Sequence, residues 1–270
     1  MANEDARQVF QNFLDNLGLG HMVDLINEAV VNSWDPSVFT AKVEADARFK
    51  QAFPEIDAAR KAGIEMNAGQ VLEYRTGVKQ IMSEAGMPKD FYDSADDFPN
   101  LIGKGISLTE LSSRMEKGFM KVAQAPQEVK DAFNSFFGAQ GESALASFFL
   151  DPNRSISALT QMAEQSEISG TGRRFGFDIN LDFSERLREI AGVERAAQGI
   201  EQAFNVRELA TETIEETTDL TSQDLLEGTL GENTEDRERM EQRLMQRRAD
   251  FAGGGGGAQT QRGFGTGAAR

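Results

Sequence analysis

The chain has 270 residues, 44 acidic against 28 basic, and a net charge of −16. That balance disfavours nucleic acid as a direct partner, because phosphate binding needs a basic surface. With no cysteine and one histidine, disulfides, thiolate nucleophiles and cysteine-ligated metals are excluded, and the length suffices to bury a sizeable core.

The N-terminal segment, MANEDARQVFQNF, is acidic and lacks the basic start and apolar centre of a secretory signal. No apolar run approaches the roughly 18 residues of a membrane span. Residues 4–17 read as an amphipathic helix with Val9, Phe10, Phe13, Leu14 and Leu17 on one side. After Gly18 and Gly20, residues 21–32 resume as helix. Asp35-Pro36 is an N-cap followed by proline at the first helical position. Phe53-Pro54 ends that helix, and a short helix from Ile56 closes at Gly63. Asn67–Ala85 is the longest clear helix of the first half, with Gly77 as a weak position inside it.

Residues 86–123 hold a dense run of start and stop signals. Gly86 ends one helix, Pro88 opens the next, and Ser94 caps a third carrying Phe98, Leu101 and Ile102. Ser107-Leu-Thr-Glu110 has the pattern of a capping box, followed by Leu111, Met115, Phe119 and Val122 on one face. Pro126 opens a phenylalanine-rich helix that Gly138 and Gly141 end. Residues 144–150 are short, almost wholly apolar and expected in the core. Asp151-Pro152 repeats the cap-plus-proline signal and predicts a helix to about Ile168. Ser169–Gly172 reads as a flexible turn, and Arg173–Ile179 carries a slight strand-like alternation. Asp182–Glu185 caps a helix that Gly192 interrupts before residues 193–210 continue it. A short helix, tight turn and longer helix recur around Leu25, Leu101 and Leu187, which fits either duplication or ordinary helical hairpins.

From Glu201 to Asp236 eleven acidic residues stand against one arginine, Arg207, a net of −10. Such composition reads as an exposed, extended arm, with a short capped helix near residues 221–226. Residues 235–252 read as a charged helix with a narrow stripe of Met240, Leu244, Arg247 and Phe251. Five glycines then tether a tail that holds Arg262 and Phe264. The expected organisation is all-α: a multi-helix globular body of short capped helices over 1–205, an acidic extended arm over 206–234, a terminal helix over 235–252 and a glycine-rich tail over 253–270. Met240, Leu244, Arg247, Phe251, Arg262 and Phe264 are the candidate partner-binding residues.

No catalytic constellation stands out. His21 has no obvious acid or nucleophile beside it. Gly18-Leu-Gly20 and Gly170-Thr-Gly172 lack the strand and lysine of a phosphate loop. Asp93, Asp96 and Asp97 lack calcium-loop spacing and read as helix caps. Arg173-Arg174 can bind an anion or solvate a turn. No catalytic residue, cofactor or metal is assigned.

The run GMPKDFYDSADDFPNLIGKGISLTELSSRM, with FFGAQGESALASFFLDPNRSISAL after it, resembles a group of minor virion-associated structural proteins of tailed bacteriophages. The likeness rests on Met87, Pro88, Phe91, Tyr92, Asp93, Leu101, Ile102, Ser107, Glu110, Arg114, Phe149, Leu150, Asp151 and Pro152. It implies a non-enzymatic component of the particle, in tail, neck or head interior. Such a component binds other virion proteins, is expected as a homo-oligomer or within a symmetric assembly, and resides in the virion after assembly in the host cytoplasm. Two alternatives stay open: a capsid assembly scaffold lost on maturation, and a peptidoglycan-cleaving entry enzyme.

Overall fold

A computed structural model describes residues 2–211 and 222–230, and Glu238, Gln242 and Met245 singly. The protein is all-α, with no strand among the described residues. The chain forms two compact units. The first is Met1–Pro126 with Phe133–Ala163; the second is Gln127–Ala132 with the chain from Glu164 onward.

The first unit opens with α1 (Ala2–Asn16), α2 (Val23–Val31), α3 (Pro36–Ala45), α4 (Ala47–Ala52), α5 (Pro54–Lys61) and α6 (Ala68–Glu84). Their boundaries are set by local chemistry. Asp35 accepts from the backbone N–H groups of Ser37 and Val38 with Pro36 at the first position of α3, as the sequence predicts. Asp46 caps α4 through the N–H of Arg48. Asn67 and Gln70 form a full reciprocal capping box at the head of α6. Phe10, Leu14, Met22, Ile26, Phe39, Val43 and Phe49 build one core from these helices.

A 3₁₀ turn (Lys89–Phe91), α7 (Asp97–Gly103) and α8 (Leu108–Arg114) follow. A π-helical turn (Met115–Phe119) joins α8 to α9 (Met120–Ala123), so 108–123 is one widened helix. Then come α10 (Gln127–Phe137), α11 (Glu142–Phe149) and α12 (Ile156–Arg174). The second core of this unit joins Val78 and Met82 to Leu101, Ile102, Leu111, Phe119, Phe133 and Phe149. Gly77 has a packing role. A Cβ there would lie 2.7 Å from Cδ1 of Leu108, so the missing methyl admits α8 against α6.

Two expectations fail here. Asp151-Pro152 does not start a helix. Asp151 instead accepts from the N–H of Asn153 in a tight turn, and α12 begins at Ile156, where Ser155 Oγ accepts from the N–H of Ala158. Ser169–Gly172 is no flexible turn but lies inside α12.

The second unit explains that glycine pair. A Cβ on Gly170 would sit 2.5 Å from the Cα of Val129, and one on Gly172 would sit 2.5 Å from Cδ1 of Ile179. Both glycines allow close approach, which outweighs their low helix propensity. After α12, Phe177 and Ile179 alternate inward without forming a strand. α13 (Leu181–Thr211) breaks its helical backbone at Gly192 (φ 71°), where the sequence places an interruption. α14 (Ser222–Leu230) lies in the segment that composition reads as an extended arm, yet Leu225 and Leu226 are buried with Leu187, Ala196 and Ile200.

Candidate functional site

The most elaborate polar arrangement in the first unit surrounds Arg114, at the end of α8. Only 2 % of Arg114 is exposed. A guanidinium offers five N–H donors and is costly to bury unless they are matched. All five are. Nη1 donates to the carbonyls of Phe149 and Asp151, each at 3.0 Å. Nη2 donates to the Arg154 carbonyl at 2.9 Å and to Glu110 Oε1 at 2.7 Å, and Nε donates to the same carboxylate oxygen at 2.9 Å. Phe149 is the last residue of α11, so the cation satisfies a carbonyl that has no partner within its helix.

Glu110 explains the geometry. The Ser107–Glu110 pattern delivers half a capping box: Ser107 Oγ accepts from the N–H of Glu110 at 3.1 Å. The Glu110 carboxylate does not reach back to Ser107 but orients Arg114 one turn later. The π turn follows at once, and Gly118 faces the Phe149 ring so closely that any added methyl would overlap it. Phe119 and Phe133 pack against the same ring.

Arg75, half-buried, pairs with a buried carboxylate. Its Nε and Nη2 donate to the two carboxylate oxygens of Glu55, at 2.6 and 2.8 Å, and Nη2 also donates to the Ala52 carbonyl. Glu55 is fully buried. Nearby, Tyr74 donates its hydroxyl to the Ile106 carbonyl at 2.7 Å, and burial pushes its phenol above the ordinary range. At the surface, Arg48 bridges Asp24 and Asp46. The hydrogen bonds from Arg48 hold the Asp46 carboxyl at about 2 and lower that of Asp24. These groups tie helices to one another.

The second unit has its own arginine clamp. Arg207 Nη2 donates to the Phe175 carbonyl at 2.5 Å and Nη1 to that of Gly176 at 3.1 Å, while the guanidinium lies over the rings of Phe177 and Phe204. The lone basic residue of the acidic stretch is thus a staple for the turn after α12. Composition offered that isolation as the only signal.

Among the described residues, grooves open at two places. One, of about 480 Å³ beside α5 and α7, is lined by Lys50, Lys61, Pro54, Ala58 and Asn100, with Asp57. That carboxylate pairs with Arg60 at 3.0 Å. The other, of about 210 Å³ between α13 and α14, is lined by Ile190, Ala191, Arg195, Gly199 and Leu230. Among the described residues no three acidic or histidine side chains are gathered to hold a metal ion, and no helix is long and apolar enough to cross a membrane.

The sequence candidates are not assembled into a reaction centre among the described residues. His21 is exposed. Gly18 takes φ 72° and closes α1, with the N–H of Leu19 donating to the Leu14 carbonyl. Asp97 accepts from the N–H of Ser94, and α7 starts after Asp96 without a side-chain cap bond. Arg174 lies over the Phe175 ring. Met240, Leu244, Arg247, Phe251, Arg262 and Phe264 all lie outside the described residues. Comparisons with protein-family models, with characterised proteins and with solved structures find no match for this chain.

Proposed function

We propose that this protein is a non-enzymatic structural component of a tailed phage particle, a minor tail, neck or head-interior protein that binds other virion proteins through helix faces and its C-terminal arm. One observation carries the reading furthest. The two sequence blocks on which the phage resemblance rests, 35 residues apart between Arg114 and Phe149, meet in a single packed arrangement through the Arg114 fork. Met87, Leu101, Ile102, Phe149 and Leu150, all matched positions, share one core. The resembling residues therefore act together as a fold-defining set, which suits a protein whose task is shape and contact. The strongly acidic chain favours protein over nucleic acid as partner.

The test is composition of the particle. Purified mature virions of the encoding phage are expected to contain this protein at a fixed copy number per particle by quantitative mass spectrometry. Its presence in immature heads together with its absence from mature particles would replace the reading with an assembly scaffold. Clearing in a peptidoglycan zymogram would replace it with an entry enzyme.

A further inference from the structure

The turns after α1, α2, α5, α6 and α7 close alike. The N–H groups of Leu19, Trp34, Ile64, Met87 and Ile106 donate back to the carbonyls of Leu14, Ala29, Ala59, Met82 and Leu101. The apolar residue that closes such a turn ordinarily packs back on the helix it ends. Leu19, Met87 and Ile106 do so and are buried, and Trp34 is half-buried. Ile64, after α5, breaks the pattern and is 38 % exposed. Its partner Ala59 is fully buried and offers one methyl to pack on.

The same end of α5 borders the groove beside α7. The two helices meet at small residues: a Cβ on Gly103 would lie 4.0 Å from that of Ala58. Small side chains at the crossing leave about 480 Å³ open. Lys50 and Lys61 line it, both exposed, and neither is ion-paired with a described residue. The carboxylate in the lining, Asp57, is turned to Arg60. Each lysine lies in the last turn of its helix, where the dipole favours a cation. That placement accounts for each charge singly. It does not account for two unpaired cations on one groove with an exposed isoleucine at its α5 end, in a chain of net charge −16.

We propose that the α5–α7 groove docks an acidic segment of a partner protein. Carboxylates of the segment meet Lys50 and Lys61, and an apolar side chain beside them covers Ile64. Asn100, also in the lining, can hydrogen-bond the segment's backbone. Exposed lysines hold a free anion weakly, so the apolar contact selects a peptide over a small ion. The proposal rests on the reading that helix faces here serve protein contact, and it adds the charge of one partner.

The overall charge makes the test discriminating, because the field of so acidic a chain repels acidic peptides from most of its surface. Short random peptides displayed on yeast are selected on the full-length protein and on Lys50→Glu/Lys61→Glu. A control of equal charge is Lys89→Glu/Lys117→Glu, whose exposed lysines do not line the groove. At about 0.15 M salt the overall charge is screened beyond about 8 Å while contact pairs persist. The wild type and the control are expected to enrich peptides that combine acidic with apolar residues. Those peptides should bind the groove variant about tenfold more weakly than the wild type. Ile64→Ser should weaken the same peptides with no change of charge. Circular dichroism matched to the wild type shows that each variant keeps its fold. No acidic enrichment on the wild type, or equal affinity for the wild type and the groove variant, would overturn the proposal. Either failure would leave the phage reading to be decided by particle composition.

Discussion

Arg114 Nη1 lies 3.0 Å from the carbonyl oxygen of Phe149, and through that bond the end of α8 holds the end of α11. The remaining four donors of the guanidinium are also engaged, on Glu110 and on the carbonyls of Asp151 and Arg154. The turn between α11 and α12 is thus organised by a cation from an earlier helix. Its own residues add the Asp151–Asn153 contact, an Arg154–Asp151 ion pair and the Arg154 guanidinium over the Phe148 ring.

Arg114→Ala is expected to remove about 3–5 kcal/mol of stability, the usual loss when one partner of a buried, fully bonded ion pair is deleted. Arg114→Lys should recover less than half of that, because an ammonium cannot span the fork of acceptors. Urea unfolding followed by circular dichroism measures both. A loss below about 1 kcal/mol for the alanine variant would show that the fork is dispensable.

Gly170→Ala inverts the ordinary helix rule. In an exposed helix the change stabilises by about 1 kcal/mol. Here the new methyl meets the backbone of Val129, which cannot rotate away as a side chain could. The variant is expected to lose about 1–3 kcal/mol, as overpacked sites do. A higher midpoint of denaturation in the variant would contradict the close approach.

The left-handed region also makes a prediction. Ser33 has φ 50° and is the one non-glycine in that region among the described residues. It ends α2, with the N–H of Trp34 reaching back to the Ala29 carbonyl at 2.9 Å. Ser33→Gly should therefore stabilise the protein by about 1 kcal/mol, since glycine carries no penalty there. The check is a comparison of urea midpoints, and a lower midpoint would contradict it.

Acid titration tests the surface bridge. Asp46 is held at about 2 and Asp24 is lowered, in both cases chiefly by hydrogen bonds from Arg48. A carboxyl depressed in the folded state contributes stability that is fully present above its unfolded value near 3.8 and is lost as pH falls through its folded value. Stability should thus decline between about pH 4 and 2. Arg48→Met should lower stability at neutral pH and flatten that decline. An unchanged acid limb in the variant would show that Arg48 does not set these carboxyls.

Much of this fold is legible in the sequence because its helix ends are chemical. Asp35-Pro36, Gly18, Gly86, Gly138 and Gly192 each mark a boundary that the structure keeps. What resisted reading depends on distant partners. Gly170 and Gly172 look like a turn until Val129 and Ile179 lie against them. Asp151-Pro152 looks like a helix start until the carbonyl of Asp151 is taken by Arg114. Glu110 reads as half of a capping box, yet its carboxylate turns to the arginine a helical turn later. The Arg207 clamp shows the same limit, because nothing local signals that Phe175 and Gly176 need a donor. Of the candidate site, the apolar stripe of residues 240–251 is legible as periodicity. Periodicity names a face and not its partner.

The central claim is that apolar helix faces here serve contact with neighbours, with the C-terminal arm as the outward link. The most direct measurement is incorporation of a chain lacking residues 235–270, expressed during infection in place of the full protein and quantified in purified particles. The account predicts a truncated chain whose helical content and unfolding match those of the full protein's body, yet which is absent from particles. Incorporation at the normal copy number would contradict it.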